Sequence, residues 1–169
     1  MQIYLNPHPQ SWLNLSWSDL PSTVKQLLLA AADTWENTAQ SQAYIEEALS
    51  ISGRSLDVLV AAYRYFFYKH NDSAALQIAT QVLEQVQQAE QFPDAWDDLA
   101  LILSQRKEDS IIRLYLNAYA ASGLIRARLG ELDTATLIMS RVNTIDDKRE
   151  FGAATILHVL THFDTEEEG

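Results

Sequence analysis

Residues 119–147 read YAASGLIRARLGELDTATLIMSRVNTIDD, and this stretch decides the fold. It holds two helical segments that meet at a glycine. Upstream, a run rich in alanine and leucine is expected to be helical from about Ser110 to Leu129. Gly130 closes it in the left-handed position where glycine costs nothing. A second helix follows from about Asp133 to Asn143. So short a joint turns the chain back on itself, and the pair reads as an antiparallel hairpin.

Working outward, the same grammar recurs. Ser22, after Pro21, is an N-cap candidate for a helix through VKQLLLAAADTWE, with Val24, Leu27, Leu28, Ala31 and Trp35 on one face. A second helix covers about Gln40 to Ile51 and carries Tyr44, Ile45, Ala48 and Leu49 at helical spacing, ending at Ser52 and Gly53. A third spans about Ser55 to His70, its apolar stripe formed by Leu56, Leu59, Val60, Tyr63, Phe66 and Phe67. Asn71-Asp72 turns the chain, and Asp72 or Ser73 caps a fourth helix reaching about Ala89. There Ala75, Leu76, Ala79, Val82, Leu83 and Val86 face inward. Pro93 and Asp94 open a fifth helix carrying Trp96, Leu99, Ala100 and Leu103, and Arg106 to Asp109 form a charged surface turn. An eighth helix is expected from about Lys148 to Phe163, before a solvated acidic tail at 164–169.

Composition narrows the function classes. The 169 residues suit one domain, or one short helical solenoid, and 47% of them are hydrophobic, enough for a continuous core. No cysteine is present, which removes disulfides, thiolate metal sites and a cysteine nucleophile together. The formal charge of −11 repels phosphate backbones, and no basic stripe offsets it, so nucleic acid is not an expected ligand. The first 21 residues lack a basic start and an unbroken apolar run, and nothing reaches membrane-span length, so a cytoplasmic protein with no membrane contact is expected.

Within the opening stretch stand, in order, Tyr119, Gly123, Gly130, Leu132, Ala135, Met139, Ile145 and Asp146. This ordered set resembles a unit of the tetratricopeptide-repeat (TPR) family, a helix–turn–helix of about 34 residues. By that resemblance Tyr119 is the bulky aromatic of the first helix. Gly123 and Ala135 are the small residues where the two helices come closest, and Met139 is a large neighbour. Asp147 stands where the family usually has proline. A second match, SLDVLVAAYRYFFYKHNDSAALQIATQVLEQV, aligns Leu59 with Tyr119 and Ala75 with Ala135. In it, Tyr63 replaces the small glycine and His70 the turn glycine. The clearest repeats therefore lie near 56–89 and 116–149, inside a helical domain at 22–163. The resemblance implies an all-α fold of about eight helices, a right-handed stack of antiparallel hairpins forming an α-solenoid.

It also implies a non-enzymatic adaptor or dedicated chaperone that holds a protein or peptide partner in a concave groove lined by first helices. Carried over by position, the partner-binding residues are Asp57, Arg64 and Tyr68 on the third helix, with Asn117, Ala121, Leu124 and Arg128 on the sixth. The lysine–asparagine set with which some members clamp a C-terminal carboxylate has no match here. Short proteins of this kind with a tyrosine-rich first helix also resemble accessory proteins encoded beside bacterial metalloenzymes, including nitrogenase.

Against the sharp readings stand plain ones. The run Tyr63, Arg64, Tyr65, Phe66, Phe67, Tyr68 circles a whole helix, so it cannot all face one core; core packing alone is the favoured reading, and the alternative leaves Tyr65 or Tyr68 for a partner. The apolar arm at 1–21, with Ile3, Tyr4, Trp12 and Trp17, either caps the helices or drives self-association into a homodimer. His158 and His162 lie four apart, yet two ligands do not make a metal site, and HVLTH lacks the glutamate of a zinc-protease helix. DAWDD at 94–98 suits the positive end of a helix dipole. No phosphate loop or nucleophile elbow occurs, so no enzyme activity, metal or cofactor is expected.

Overall fold

The computed structural model describes residues 19–147 together with Phe151, Ala153, His158, Val159 and Leu160. Among these the chain is all-α, with no strand. It comprises α1 (Ser22–Asp33), α2 (Thr38–Ser52), α3 (Leu56–Tyr68), α4 (Asp72–Glu90), α5 (Trp96–Gln105), α6 (Ser110–Arg128) and α7 (Leu132–Ile145). The expected eighth helix falls mostly outside the described residues, although Ala153 and His158 to Leu160 are helical. The arm at 1–18, His162 and the acidic tail lie outside them too. The helices group into two compact units, one ending at Ile78 and the other beginning at Ala79, so the boundary falls inside α4.

In the first unit α1 runs along α2, and α2 packs on α3. Val24, Leu28 and Ala31 of α1, and Ile45 and Ala48 of α2, are fully buried at the three- and four-residue spacing of a single helix face. α3 departs from that pattern: Val58 to Tyr63, Tyr65 and Phe66 are all buried, so the helix is covered nearly all round. Tyr65 is fully buried, in keeping with core packing and against the alternative that left it for a partner. A phenol so placed requires a hydrogen-bond partner. It finds the hydroxyl of Ser41, equally buried, at 2.5 Å, and Ser41 in turn donates to the Thr38 carbonyl at 3.2 Å. Trp35 packs edge-on against the Tyr65 ring at 5.6 Å. Lys69, just past α3, places its ammonium 4.0 Å from the centre of the Trp35 ring and donates to the Trp35 carbonyl and to Thr38 Oγ1. Burial lowers the Lys69 pKa, opposed by the nearby Glu36. The end of α3 is thereby tied to the joint between α1 and α2.

In the second unit α6 runs along α7, and α5 contacts α7. Ala79, Val82 and Val86 of α4, and Leu99 and Leu103 of α5, are buried. The charged turn before α6 is held by Arg106, which bonds Glu90 at 2.8 Å and Asp109 at 2.6 Å. Asp109 caps α6 by accepting from the Ile111 N–H, and the Arg106 hydrogen bond holds its carboxyl below the usual range.

Helix ends follow local chemistry, with corrections. Pro21, not Ser22, occupies the position before α1, and Ser22 is its first helical residue. Asn71, rather than Asp72 or Ser73, caps α4 by accepting from the Ala74 N–H at 3.3 Å. His70, Gln91 and Gly130 all adopt positive φ, at 59°, 53° and 85°. In each case the next N–H reaches back to a carbonyl five residues earlier: Asn71 to Phe66, Phe92 to Gln87 and Glu131 to Arg126. The same glycine-type cap therefore forms three times, twice without glycine.

The α6–α7 contact differs in detail from the expectation. Gly123 and Ala135 are both buried, but a methyl group at Gly123 would meet Met139 Cε at 2.6 Å and Ile138 Cγ2 at 2.9 Å. Residues equidistant from the turn face each other in an antiparallel hairpin. Gly123 lies seven before Gly130 and Ile138 eight after it, whereas Ala135 lies only five after. The close approach is thus Gly123 against Ile138 and Met139.

Candidate functional site

Asp57, Arg64 and Tyr68 lie on α3 at intervals of seven and four residues, so one face of that helix carries all three, each half-buried. Asp57 is in the first turn of α3. Burial, and then the charge of Asp19, pushes its carboxyl above the usual range. The Tyr68 ring meets Phe67 edge-on at 5.4 Å. Asn117, Ala121, Leu124 and Arg128 follow at intervals of four, three and four along α6, again on one stripe. Asn117 is exposed and the other three are half-buried. At about 100° per residue the stripe is centred roughly 130° around α6 from Gly123, well away from the α7 contact. The α3 set belongs to the first unit and the α6 set to the second.

The second unit also holds a cluster that sequence reasoning did not assemble. Tyr115 and Tyr119, one turn apart on α6, stack at 6.0 Å with planes 25° apart. Phe92 packs edge-on against Tyr115 at 5.2 Å, and Trp96 of α5 lies 6.2 Å from Tyr119 at a shallow 32°. Arg141 of α7 places its guanidinium 4.9 Å from the centre of the Trp96 ring, and its Nη1 donates to the Tyr119 hydroxyl at 3.3 Å. Tyr115 is buried, and its phenol is pushed up to about 12, chiefly by burial and also by Tyr119, with Arg141 opposing. Trp96, Tyr119 and Arg141 are half-buried. The Tyr115–Tyr119 spacing was visible in sequence; nothing local marked Arg141 as their partner.

A cavity of about 110 Å³ is lined by Lys107, Glu108, Arg113, Ile145, Asp146, Asp147 and Phe151. Inside it Lys107 pairs with Asp147 at 2.8 Å, and Asp146 accepts from the Phe151 N–H at 2.9 Å. That volume holds a few waters, well below the roughly 300 Å³ of an ordinary ligand site. His158 is exposed, and among the described residues no group of three histidines, aspartates or glutamates is placed to hold a metal. No described helix is long and apolar enough to cross a membrane.

No family model matches the chain, and no solved structure matches it. The chain is similar to a protein of Azotobacter chroococcum mcd 1 described as "Uncharacterized 19.8 kDa protein in nifW 5'region". The two are 29% identical over 140 residues, which cover 81% of this chain and 77% of that protein.

Proposed function

We propose that the chain is a non-enzymatic partner-holding module, a cytoplasmic TPR-like adaptor or dedicated chaperone whose hairpins stack as a short solenoid. The observation that carries this reading is the α6 stripe Asn117, Ala121, Leu124 and Arg128. It mixes an arginine, an amide and apolar surface along one helix, and it turns away from the face that Gly123 gives to α7. Such a mixture along one helix face suits an extended or helical protein segment. Arg64 and its neighbours on α3 supply a stripe of the same character. The test is capture of a partner by the intact protein, comparing wild type with Arg64→Glu, Arg128→Glu and the double variant, each checked for helicity. Loss of the partner in the variants supports the assignment. Equal recovery by all four proteins overturns it.

The relative from the nifW region favours placing this role beside nitrogen fixation, as an accessory to nitrogenase or its assembly. In a nitrogen-fixing host, deleting the gene then slows growth on N2 and leaves growth on ammonium unchanged. Equal growth of deletion and parent on N2 refutes that placement. Self-association is the competing structural role, and a monomer in solution that still captures a partner excludes it.

A further inference from the structure

The Trp96–Tyr119–Arg141 cluster does more chemistry than helix packing needs. Each of its members comes from a different helix, α5, α6 and α7. Arg141 is held twice, by the Trp96 face below it and by the Tyr119 hydroxyl beside it. Both contacts use neutral groups, and no carboxylate is paired with Arg141 among the described residues. In a chain of net charge −11, acids are abundant and a half-buried arginine without one is unexpected. The guanidinium carries five N–H donors in a fixed fork, and one hydroxyl uses only one of them. Stacked on an indole, that fork has little side-chain entropy left to lose when it meets a planar anion.

One further feature defines the partner. Leu137, one turn before Arg141 on α7, is 51% exposed, so an apolar anchor lies next to the cation. The free N–H groups of the planar fork match a planar carboxylate, two parallel donors to two oxygens. We propose that Arg141, backed by Trp96 and Tyr119 and flanked by Leu137, is the docking point for a carboxylate side chain on an amphipathic partner helix. That helix carries its acid and a large apolar residue one turn apart. The proposal rests on the partner-holding reading and names the chemistry of the partner. It lies on a different face from the α6 stripe.

The probe is a fluorescein-labelled, end-blocked helical peptide with glutamate and leucine four residues apart, titrated against the full chain by fluorescence anisotropy. Two control peptides replace glutamate with glutamine, or leucine with alanine. Wild type is expected to bind the glutamate peptide about tenfold more tightly than the glutamine peptide, equivalent to about 1.4 kcal/mol. Arg141→Gln loses that preference, and Arg141→Lys recovers only part of it, because lysine keeps the charge but not the fork. A purely structural arginine predicts no preference between the two peptides. Equal binding of both to wild type, no binding of either, or a preference that survives in Arg141→Gln overturns the proposal. Arg128→Glu tells the two readings apart. If it abolishes partner capture while wild type shows no glutamate preference, the docking point falls and the partner-holding function stands. If the preference is present and no variant alters partner capture, the α6 stripe falls and the docking point stands.

Discussion

Replacing Gly123 with alanine sets two known effects against each other at a single atom. On an ordinary helix face the change stabilises by about 0.8–1 kcal/mol, because glycine is the poorer helix former. Here the new Cβ would sit 2.6 Å from Met139 Cε, 2.9 Å from Ile138 Cγ2 and 3.3 Å from Ile138 Cβ. The methionine end can swing aside at little cost, since three torsions lie behind it. Ile138 cannot do the same: its branch is at Cβ, its χ1 has one favoured value in a helix, and it is only 7% exposed. The remaining relief is separation of α6 from α7 by a few tenths of an ångström, and overpacking of this kind costs about 1–3 kcal/mol. The net expectation is a loss of about 1 kcal/mol. For a chain of this size that lowers the melting temperature by about 2–4 °C. The assay is urea unfolding followed by far-UV circular dichroism, with Ile138→Ala as the second arm of a double-mutant cycle. With Cγ2 gone, Gly123→Ala becomes neutral or stabilising by up to about 1 kcal/mol, giving a coupling of about 1–2 kcal/mol. If Gly123→Ala instead stabilises the otherwise wild-type chain by the full helix-propensity increment, the face toward Ile138 is open and the α6–α7 register derived above is wrong.

Two other outcomes are expected. His70 holds φ 59° at an exposed site, so His70→Gly is expected to be at least as stable as wild type, gaining up to about 0.5 kcal/mol, while His70→Val loses about 1 kcal/mol. Urea midpoints that rank valine above glycine refute the left-handed cap. The Tyr115 phenol is pushed up to about 12 in the folded chain against about 10 when unfolded. Its contribution is therefore complete below pH 10 and is lost as pH rises from 10 toward 12, amounting to about 2–3 kcal/mol at most. Tyr115→Phe removes that part of the alkaline loss, and stabilities of the two proteins that fall in parallel between pH 9 and pH 11.5 would show the phenol is not buried as described.

Much of the local structure was legible in the residues themselves. Gly130 marked the end of α6, the Arg106–Asp109 cluster marked the turn before it, and Asn71-Asp72 marked the start of α4. Apart from the Arg106–Glu90 bond, which spans 16 residues, each of these features depends on hydrogen bonds between residues at most five apart, so the information lies where the effect does. The His70 cap shows the limit of reading by residue type. Histidine looks like a missing glycine, yet the backbone forms the same bonds there, because a left-handed histidine costs only a modest amount of free energy. The apolar stripe of α3 was readable, but not its near-complete burial, which depends on what packs around it.

The candidate site divides along the same line. The α3 and α6 stripes follow from spacing along single helices, and the structure keeps each on one face. The Trp96–Tyr119–Arg141 cluster had no such spacing to reveal it, since its members are 23 and 22 residues apart and meet only once α5, α6 and α7 are packed. Tyr65 and Ser41, 24 apart, likewise meet only in the packed chain, and Ile138 replaces Ala135 opposite Gly123 through the register of the hairpin. The amino-acid sequence by itself determined that the chain is helical, where most helices begin and end, and which face of each is apolar. Those properties arise from backbone bonds and residue periods that repeat every few positions. Which side chain meets which across two helices was decided only by tertiary structure, because a shift of one residue in register preserves every local bond while exchanging all the partners.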